Sequence, residues 1–189
     1  MGCIRAIGWL AFSSLITAEA QTVATTQSAS ASASIAYVAD DGCIQNDVLV
    51  VANQTTTDTA KAPGPILEVT YSRHRYDYCQ DSDLGTDAGT SSHATFSGDL
   101  HRALLNVTIL GHTTSGSPVT VAFALVWDGK GGITSRTDRP QNARAGAAKT
   151  IRIENLSRGA AVSGTMDERD ISDAIVGASL HTTRKTSSR

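Results

Sequence analysis

VTVAFALVWD, residues Val119 to Asp128, alternates apolar side chains with polar or small ones at a period of two. The apolar set consists of Val119, Val121, Phe123, Leu125 and Trp127. Side chains at every second position project from the same face of a β-strand. The stretch therefore predicts a strand with one buried face.

The same alternation recurs along much of the chain. It is clear in residues 67–71, 103–109 and 151–153, with shorter candidates at 34–39, 47–53, 160–166 and 174–182. Only MDERDISDAIVG, residues 166–177, suggests a helical turn. About eight strands, joined by polar and glycine-containing loops, predict an all-β protein built as an antiparallel β-sandwich, with a flattened β-barrel as the second choice.

The amino-terminal residues 1–20 have the pattern of a secretory signal peptide. Arg5 precedes an apolar run over residues 6–16, and the small-x-small triplet Ala18-Glu19-Ala20 follows it. The run is shorter than the roughly 20 apolar residues that span a bilayer, and no later segment is apolar enough to do so. We therefore expect an exported protein, extracellular or periplasmic, with no membrane span.

The remaining chain has the length of a single domain. Residues 21–34, QTVATTQSASASAS, are of low complexity and predict a flexible leader. The β-domain is expected over residues 35–183, and the polar residues 184–189 are expected to fray.

Removal of the signal peptide leaves two cysteines, Cys43 and Cys79. In an oxidising compartment two such cysteines predict a disulfide bond. A redox or metal-binding pair would normally show a Cys-x-x-Cys spacing or a nearby His/Cys cluster, and neither occurs.

TYSRHRYDYC, residues 70–79, concentrates three of the four tyrosines of the chain. On a strand, one face carries Tyr71, Arg73, Arg75, Asp77 and Cys79, and the other carries Ser72, His74, Tyr76 and Tyr78. One interpretation is structural: Tyr71 continues the core face, and the arginines stack on tyrosines along an exposed strand. The other is a ligand-binding surface, in which His74, Tyr76 and Tyr78 form an aromatic face for sugar rings. Arg73 and Arg75 then offer fork-shaped donors to carboxylates or sulfates.

The next segment places Asp81, Asp83 and Asp87 at even spacings that resemble the oxygen ligands of a calcium loop. The pattern is incomplete, because it lacks the glycine and the late glutamate of an EF-hand loop. A weak calcium site and a solvated acidic loop are both consistent with these residues.

Motifs for catalysis and cofactor binding are missing from the sequence. It has no Gly-x-Ser-x-Gly, His-Glu-x-x-His or phosphate-binding loop, and no cofactor is predicted. The five histidines are His74, His93, His101, His112 and His181. A secreted hydrolase that assembles a His/Asp/Ser site from distant residues remains an alternative.

Charge divides unevenly between the two parts of the chain. Residues 1–129 carry a net charge of −7 and residues 130–189 carry +5. The basic part could form a stripe for anionic polymers, or it could pair with the acidic part within one domain. Aromatic residues do not interleave with the arginines as in single-strand binding, so no nucleic-acid partner is predicted.

Residues 129–148 predict a long Arg/Gly/Ala-rich loop, which gives a third possibility, a secreted inhibitor or effector. The Asn-x-Ser/Thr triplets at Asn53, Asn106 and Asn155 would mark surface positions if the host glycosylates its secreted proteins.

The segments DGC at 41–43, YSR at 71–73 followed by Cys79, and VWDGKG at 126–131 resemble a pattern in a group of small secreted bacterial proteins with no known activity. The resemblance implies a secreted β-fold with a bridge between Cys43 and Cys79. With the residue patterns, it favours an exported binding or structural domain whose partner is a polysaccharide or an extracellular protein surface.

Overall fold

The computed structural model of the chain describes residues 25–58, 64–138 and 150–188. The predicted signal peptide lies outside these ranges. The elements are β1 (Thr25–Asp41), β2 (Ile44–Asp58), β3 (Ile66–Asp77), β4 (Ser82–Ser91), β5 (Ala94–Gly98), β6 (Arg102–Thr113), β7 (Pro118–Asp138), β8 (Thr150–Met166), β9 (Arg169–Asp170), a 3-10 turn (Ser172–Ala174) and β10 (Ile175–Ser188).

All ten strands belong to one antiparallel sheet in the order β10-β1-β2-β3-β4-β6-β7-β8-β9, and β5 pairs with β6. β10 pairs with β1 on one side and with β8 on the other, so the ladder closes into a ring. The predicted all-β antiparallel class is confirmed. No helix in the described ranges is long and apolar enough to cross a membrane.

The alternating segments supply the interior of this ring. In β7 the side chains of Val121, Phe123, Leu125 and Trp127 are buried, and the residues between them are exposed or half-buried. The Nε1 group of Trp127 donates to the backbone oxygen of Ser34 at 2.9 Å. Trp127 therefore fills the core and also satisfies its one polar group, as a buried indole requires.

The structure places paired strands in the described parts of the segments for which the sequence predicts a leader and a frayed tail. β1 begins at Thr25, and its residues 25–34 pair with residues 179–188 of β10. Ala33 is fully buried. The Ser/Ala alternation in this stretch is itself a period of two, but its inward side chains are so small that composition alone hides the strand.

The predicted loop over residues 129–148 is wrong at its start, because β7 continues to Asp138. The register with β8 shifts between Lys130 and Thr134, and Gly131 has φ +75°. The glycines thus form a bulge in a continuing strand and not the end of a hairpin. Residues 139–148 lie outside the described ranges.

The predicted disulfide between Cys43 and Cys79 is confirmed, with a Cα–Cα distance of 5.4 Å. Cys43 lies in the turn between β1 and β2, and Cys79 lies in the turn between β3 and β4. The Tyr78 amide also donates to the backbone oxygen of Cys43 at 2.9 Å. Two neighbouring turns are therefore fastened together at what we call the disulfide end of the sheet.

Replacing both cysteines with serine is expected to lower the free energy of unfolding by about 4 kcal/mol, because the bridge removes loop entropy from the unfolded chain. Urea unfolding of the parent and of the Cys43→Ser/Cys79→Ser variant measures this difference. Adding reductant should destabilise the parent and leave the variant unchanged. Equal midpoints for the two proteins would show that the bridge does not stabilise the fold.

Candidate functional site

At the disulfide end, β3 directs its arginines to the inner face of the sheet and His74 and Tyr76 to the outer face. Tyr71 and Asp77 are buried on the inner face, while Tyr78, just past the strand, is 61% exposed. Arg73 and Arg75 share the inner face, and each contacts the buried Asp87 of β4. The strand therefore has the two faces that its alternation predicts, with the arginines directed inward.

The first group, which we call the inner cluster, consists of Tyr71, Arg73, Arg75 and Asp87. Asp87 is 0% exposed and lies opposite Arg73 in the β3–β4 ladder. Its Oδ1 accepts from the Tyr71 hydroxyl at 3.0 Å, and its Oδ2 accepts from Arg73 Nε at 2.9 Å. Arg75 Nε lies 3.9 Å from the same Oδ2. The arginines thus form a buried ion cluster, and the predicted stacking of arginines on tyrosines is wrong for this strand.

Tyrosine hydroxyls in this region act as hydrogen-bond donors. Burial, and then the hydrogen bond to Asp87, raise the pKa of Tyr71 to about 12. Burial also holds the pKa of Tyr37 above its ordinary value, against the opposing effect of Arg73. The Tyr37 hydroxyl donates to Met166 Sδ. Both phenols therefore stay protonated at neutral pH.

The second group, which we call the outer patch, consists of Gln45, His74, Tyr76, Tyr78, Asp81 and Asp83. The rings of Tyr76 and Tyr78 meet edge to face, with centroids 5.2 Å apart and planes at 64°. The Tyr76 hydroxyl donates to Asp81 Oδ1, and the Tyr78 hydroxyl donates to Gln45 Oε1. The exposed Tyr78 and the half-buried Tyr76 are therefore each held by a ring contact and by a hydroxyl hydrogen bond.

Asp83 of the outer patch is held in its ionised form by two hydrogen bonds. The backbone N–H of Gly85 donates to Asp83 Oδ1 at 2.7 Å, and His74 Nε2 lies 3.0 Å from the same oxygen. The Gly85 contact, followed by the His74 hydrogen bond, lowers the pKa of Asp83. The hydrogen bond to Asp81 raises the pKa of Tyr76. The patch thus combines aromatic rings with anionic acceptors.

The arrangement does not support the calcium interpretation. Asp81 and Asp83 belong to the outer patch, whereas Asp87 is enclosed in the inner cluster. Among the described residues, the one group of His, Cys, Asp and Glu close enough to share an ion is Cys43, Asp77 and Cys79. Its two sulfur atoms are bonded to each other and cannot act as thiolate ligands.

The histidines are dispersed over the surface. His101 Nδ1 lies 3.4 Å from Arg158 Nη1, and His181 Nε2 lies 2.9 Å from Ser179 Oγ. His74 contacts Asp83, as described above. Within the described ranges, no histidine ring has both a serine hydroxyl and an aspartate carboxylate at hydrogen-bond distance. The hydrolase alternative stays a prediction without a site in these residues.

Other recesses lie away from both groups. A groove of about 620 Å³ on the outer face is lined by residues that include Ile66, Glu68, His93 and Leu110. A cavity of about 360 Å³, lined in part by Gln54, Glu154 and Thr182, lies among the early residues of β1 and the late residues of β2. Asn106, one of the predicted glycosylation positions, is exposed on β6.

Comparison with known proteins finds no matching family model and no matching curated protein. Weakly similar solved structures include the following two. An acetoacetate decarboxylase-like enzyme from Sphingomonas wittichii RW1 has a TM-score of 0.31 and 8% identity, over 87% of this chain and 90% of that one. A candidate AttH from Nitrosomonas europaea has a TM-score of 0.28 and 12% identity, over 85% of this chain and 50% of that one. The resemblance to secreted bacterial proteins stays a prediction.

Asp87→Asn should lower the free energy of unfolding by roughly 3–5 kcal/mol, because it leaves the largely buried Arg73 guanidinium without its counter-charge. Asp83→Asn removes the same charge from the exposed side of the same hairpin and should have little effect. Urea unfolding of both variants beside the parent makes the comparison. Similar stabilities for the two variants would contradict the buried ion cluster.

Proposed function

We propose that this protein is an exported binding domain that recognises a polysaccharide through the outer patch. The observation that carries this proposal is the Tyr76/Tyr78 pair: Tyr78 is 61% exposed, and its ring contacts that of Tyr76. Clustered exposed aromatic side chains normally mark a contact surface. The disulfide between Cys43 and Cys79 is compatible with an extracellular β-domain.

The rings are fixed before any ligand arrives. The Tyr78 amide is bound to Cys43, the neighbouring Cys79 is covalently tied to the same residue, and both tyrosine hydroxyls have partners. Ordering flexible side chains on binding costs affinity, and preorganisation lowers that cost. A tyrosine also loses little conformational entropy on binding, since it presents a large contact area with only two side-chain torsions.

The polar groups beside the rings suit a sugar. A saturated sugar ring has an apolar C–H face that packs on an aromatic ring, while its hydroxyls need hydrogen-bond partners at the edge. Asp81 and Asp83 offer carboxyl oxygens as acceptors, and a carboxylate has about four lone-pair positions, more than the present contacts use. Gln45 adds an amide beside Tyr78.

The charge of the patch narrows the class of polysaccharide. Asp81 and Asp83 lie beside the rings, while Arg73 and Arg75 face the interior. Like charges repel, so an acidic polymer would meet two carboxylates at this surface. The patch therefore favours a neutral or amino-bearing polysaccharide over a uronic-acid or sulfated one.

A pull-down on insoluble polysaccharides tests the proposal. The parent should be retained on a neutral or amino-bearing polymer, and the Tyr76→Ala/Tyr78→Ala variant should bind at least tenfold more weakly, equivalent to about 1.4 kcal/mol or more. A Leu110→Ala/Val176→Ala variant removes two exposed apolar side chains elsewhere on the sheet and should bind like the parent. Near-UV circular dichroism confirms that each variant is folded.

The pattern of retention on the polymers decides whether the outer patch recognises a polysaccharide. If the tyrosine variant is retained as well as the parent, or if no polymer retains the parent, polysaccharide recognition by this patch is wrong. Retention on acidic polymers alone would contradict the charge argument.

A further inference from the structure

We propose that the inner cluster is a second binding site, in which Arg75, supported by Arg73, holds the carboxylate group of a small molecule. It lies on the face of β3 opposite the outer patch and does not depend on polysaccharide recognition. The charges of the inner cluster are shared unequally among their partners.

Asp87 accepts one hydrogen bond on each of its two oxygens. One of its oxygens accepts from Tyr71 and the other accepts from Arg73 Nε. Arg75 Nε is 3.9 Å from the second oxygen, which is beyond hydrogen-bond distance. Two guanidinium groups therefore share one carboxylate, and only one of them is hydrogen-bonded to it through Nε.

Arg75 is the arginine with unused hydrogen-bonding capacity. Its Nε atom is buried and has no hydrogen-bond partner in the described part of the chain. The side chain as a whole is 35% exposed, against 17% for Arg73. Buried donors are almost always paired, so a buried guanidinium N–H without an acceptor points to a partner from outside the chain. The exposed part of Arg75 is the remainder of its side chain, because Nε itself is shielded from solvent.

The residues opposite Arg75 in the two ladders are an amide and a glycine, and the Thr114 hydroxyl lies 3.2 Å from the position that a Cβ at the glycine would take. Arg75 lies opposite Asn46 of β2 on one side and Gly85 of β4 on the other. Gly85 has no side chain to cover the guanidinium. Asn46 Nδ2 donates to the Ala39 backbone oxygen at 3.3 Å, which fixes the amide beside the arginine. One further polar group thus lies at the site without neutralising Arg75.

The surrounding acids do not replace the missing partner. Asp77 is on the same face, but its Oδ1 accepts from the amides of Cys79 and Gln80 at 2.9 and 3.1 Å. Asp167, at the end of β8, acts on Tyr37 and Tyr71 only as a distant charge, and its carboxylate accepts from the Ala122 amide at 2.8 Å. Neither forms an ion pair of 4 Å or less with Arg75 among the described contacts.

The charge balance favours a monoanion. Within the inner cluster, Arg73 and Arg75 exceed Asp87 by one positive charge, which a single carboxylate offsets. A phosphate dianion would overcompensate this excess of one positive charge. A guanidinium fork matches the two oxygens of a carboxylate in geometry as well as in charge.

Acetate is the probe for this site. The ¹H–¹⁵N signals of arginine Nε groups are followed in the folded protein while sodium acetate replaces sodium chloride at constant ionic strength. The Arg75 signal should move saturably, with a dissociation constant in the millimolar range. Arg75→Lys keeps the charge but loses the fork and should weaken acetate binding at least tenfold, as judged from the remaining shifts around Asn46 and Gly85.

Arg102→Lys is the matched control, because Arg102 forms an exposed ion pair with Asp128 at 3.6 Å, and this variant should bind acetate like the parent. The proposal is overturned if the Arg75 signal does not saturate and moves no more than that of Arg102, or if Arg75→Lys binds acetate as tightly as the parent. Binding of sulfate or phosphate as tight as that of acetate would overturn the carboxylate assignment.

The Tyr76→Ala/Tyr78→Ala variant tests the two binding sites independently of each other. It should bind acetate normally even if it has lost polysaccharide, so that failure at one site is distinguishable from failure at the other. Loss of acetate binding in this variant would show that the two faces of β3 are not independent and would overturn the inner site as proposed.

Discussion

The hydrogen bonding of β10 along both of its edges is the constraint on which the rest of the structure depends. One edge pairs with β1 from Thr25 to Tyr37, and the other pairs with β8 from Thr150 to Gly159. With both ladders in place the sheet closes, and every strand acquires an inner and an outer face. The period of two in the sequence then decides which side chains are shielded from water and which meet a partner.

β3 shows what this closure does for function. It directs Arg73 and Arg75 inward to Asp87 and Tyr76 outward to Asp81, and Tyr78, just past its end, contacts Gln45. The disulfide then fastens the turns at the same end. One strand therefore supports a buried charged site and an exposed aromatic one, and each is formed with partners from a neighbouring strand or turn.

Much of this arrangement could be predicted from local patterns. The alternation of residues 119–127 and 103–109 indicates strands with one buried face, the two cysteines indicate their bridge, and residues 71–79 divide correctly into two faces. The strand at residues 25–34 was missed because alanine buries too little apolar surface to stand out against serine. The strand at 129–138 was missed because its glycines form a bulge and not a turn.

The partners of the site residues could not be predicted in the same way. Asp87 looks like one acid among several in an acidic loop, and only the β3–β4 register places it opposite Arg73. Cross-strand contacts depend on register, and a shift of one residue would have put this carboxylate outside. The central claim is thus that the closed sheet separates the side chains of β3 into two faces.

Labelling of the folded protein with tetranitromethane, followed by peptide mass spectrometry, tests this claim most directly, because exposed tyrosines react and buried, protonated ones do not. The account predicts nitration of Tyr78 first and Tyr76 next, with Tyr37 and Tyr71 unmodified until the protein is unfolded. Nitration of Tyr71 at the rate of Tyr78 would contradict it.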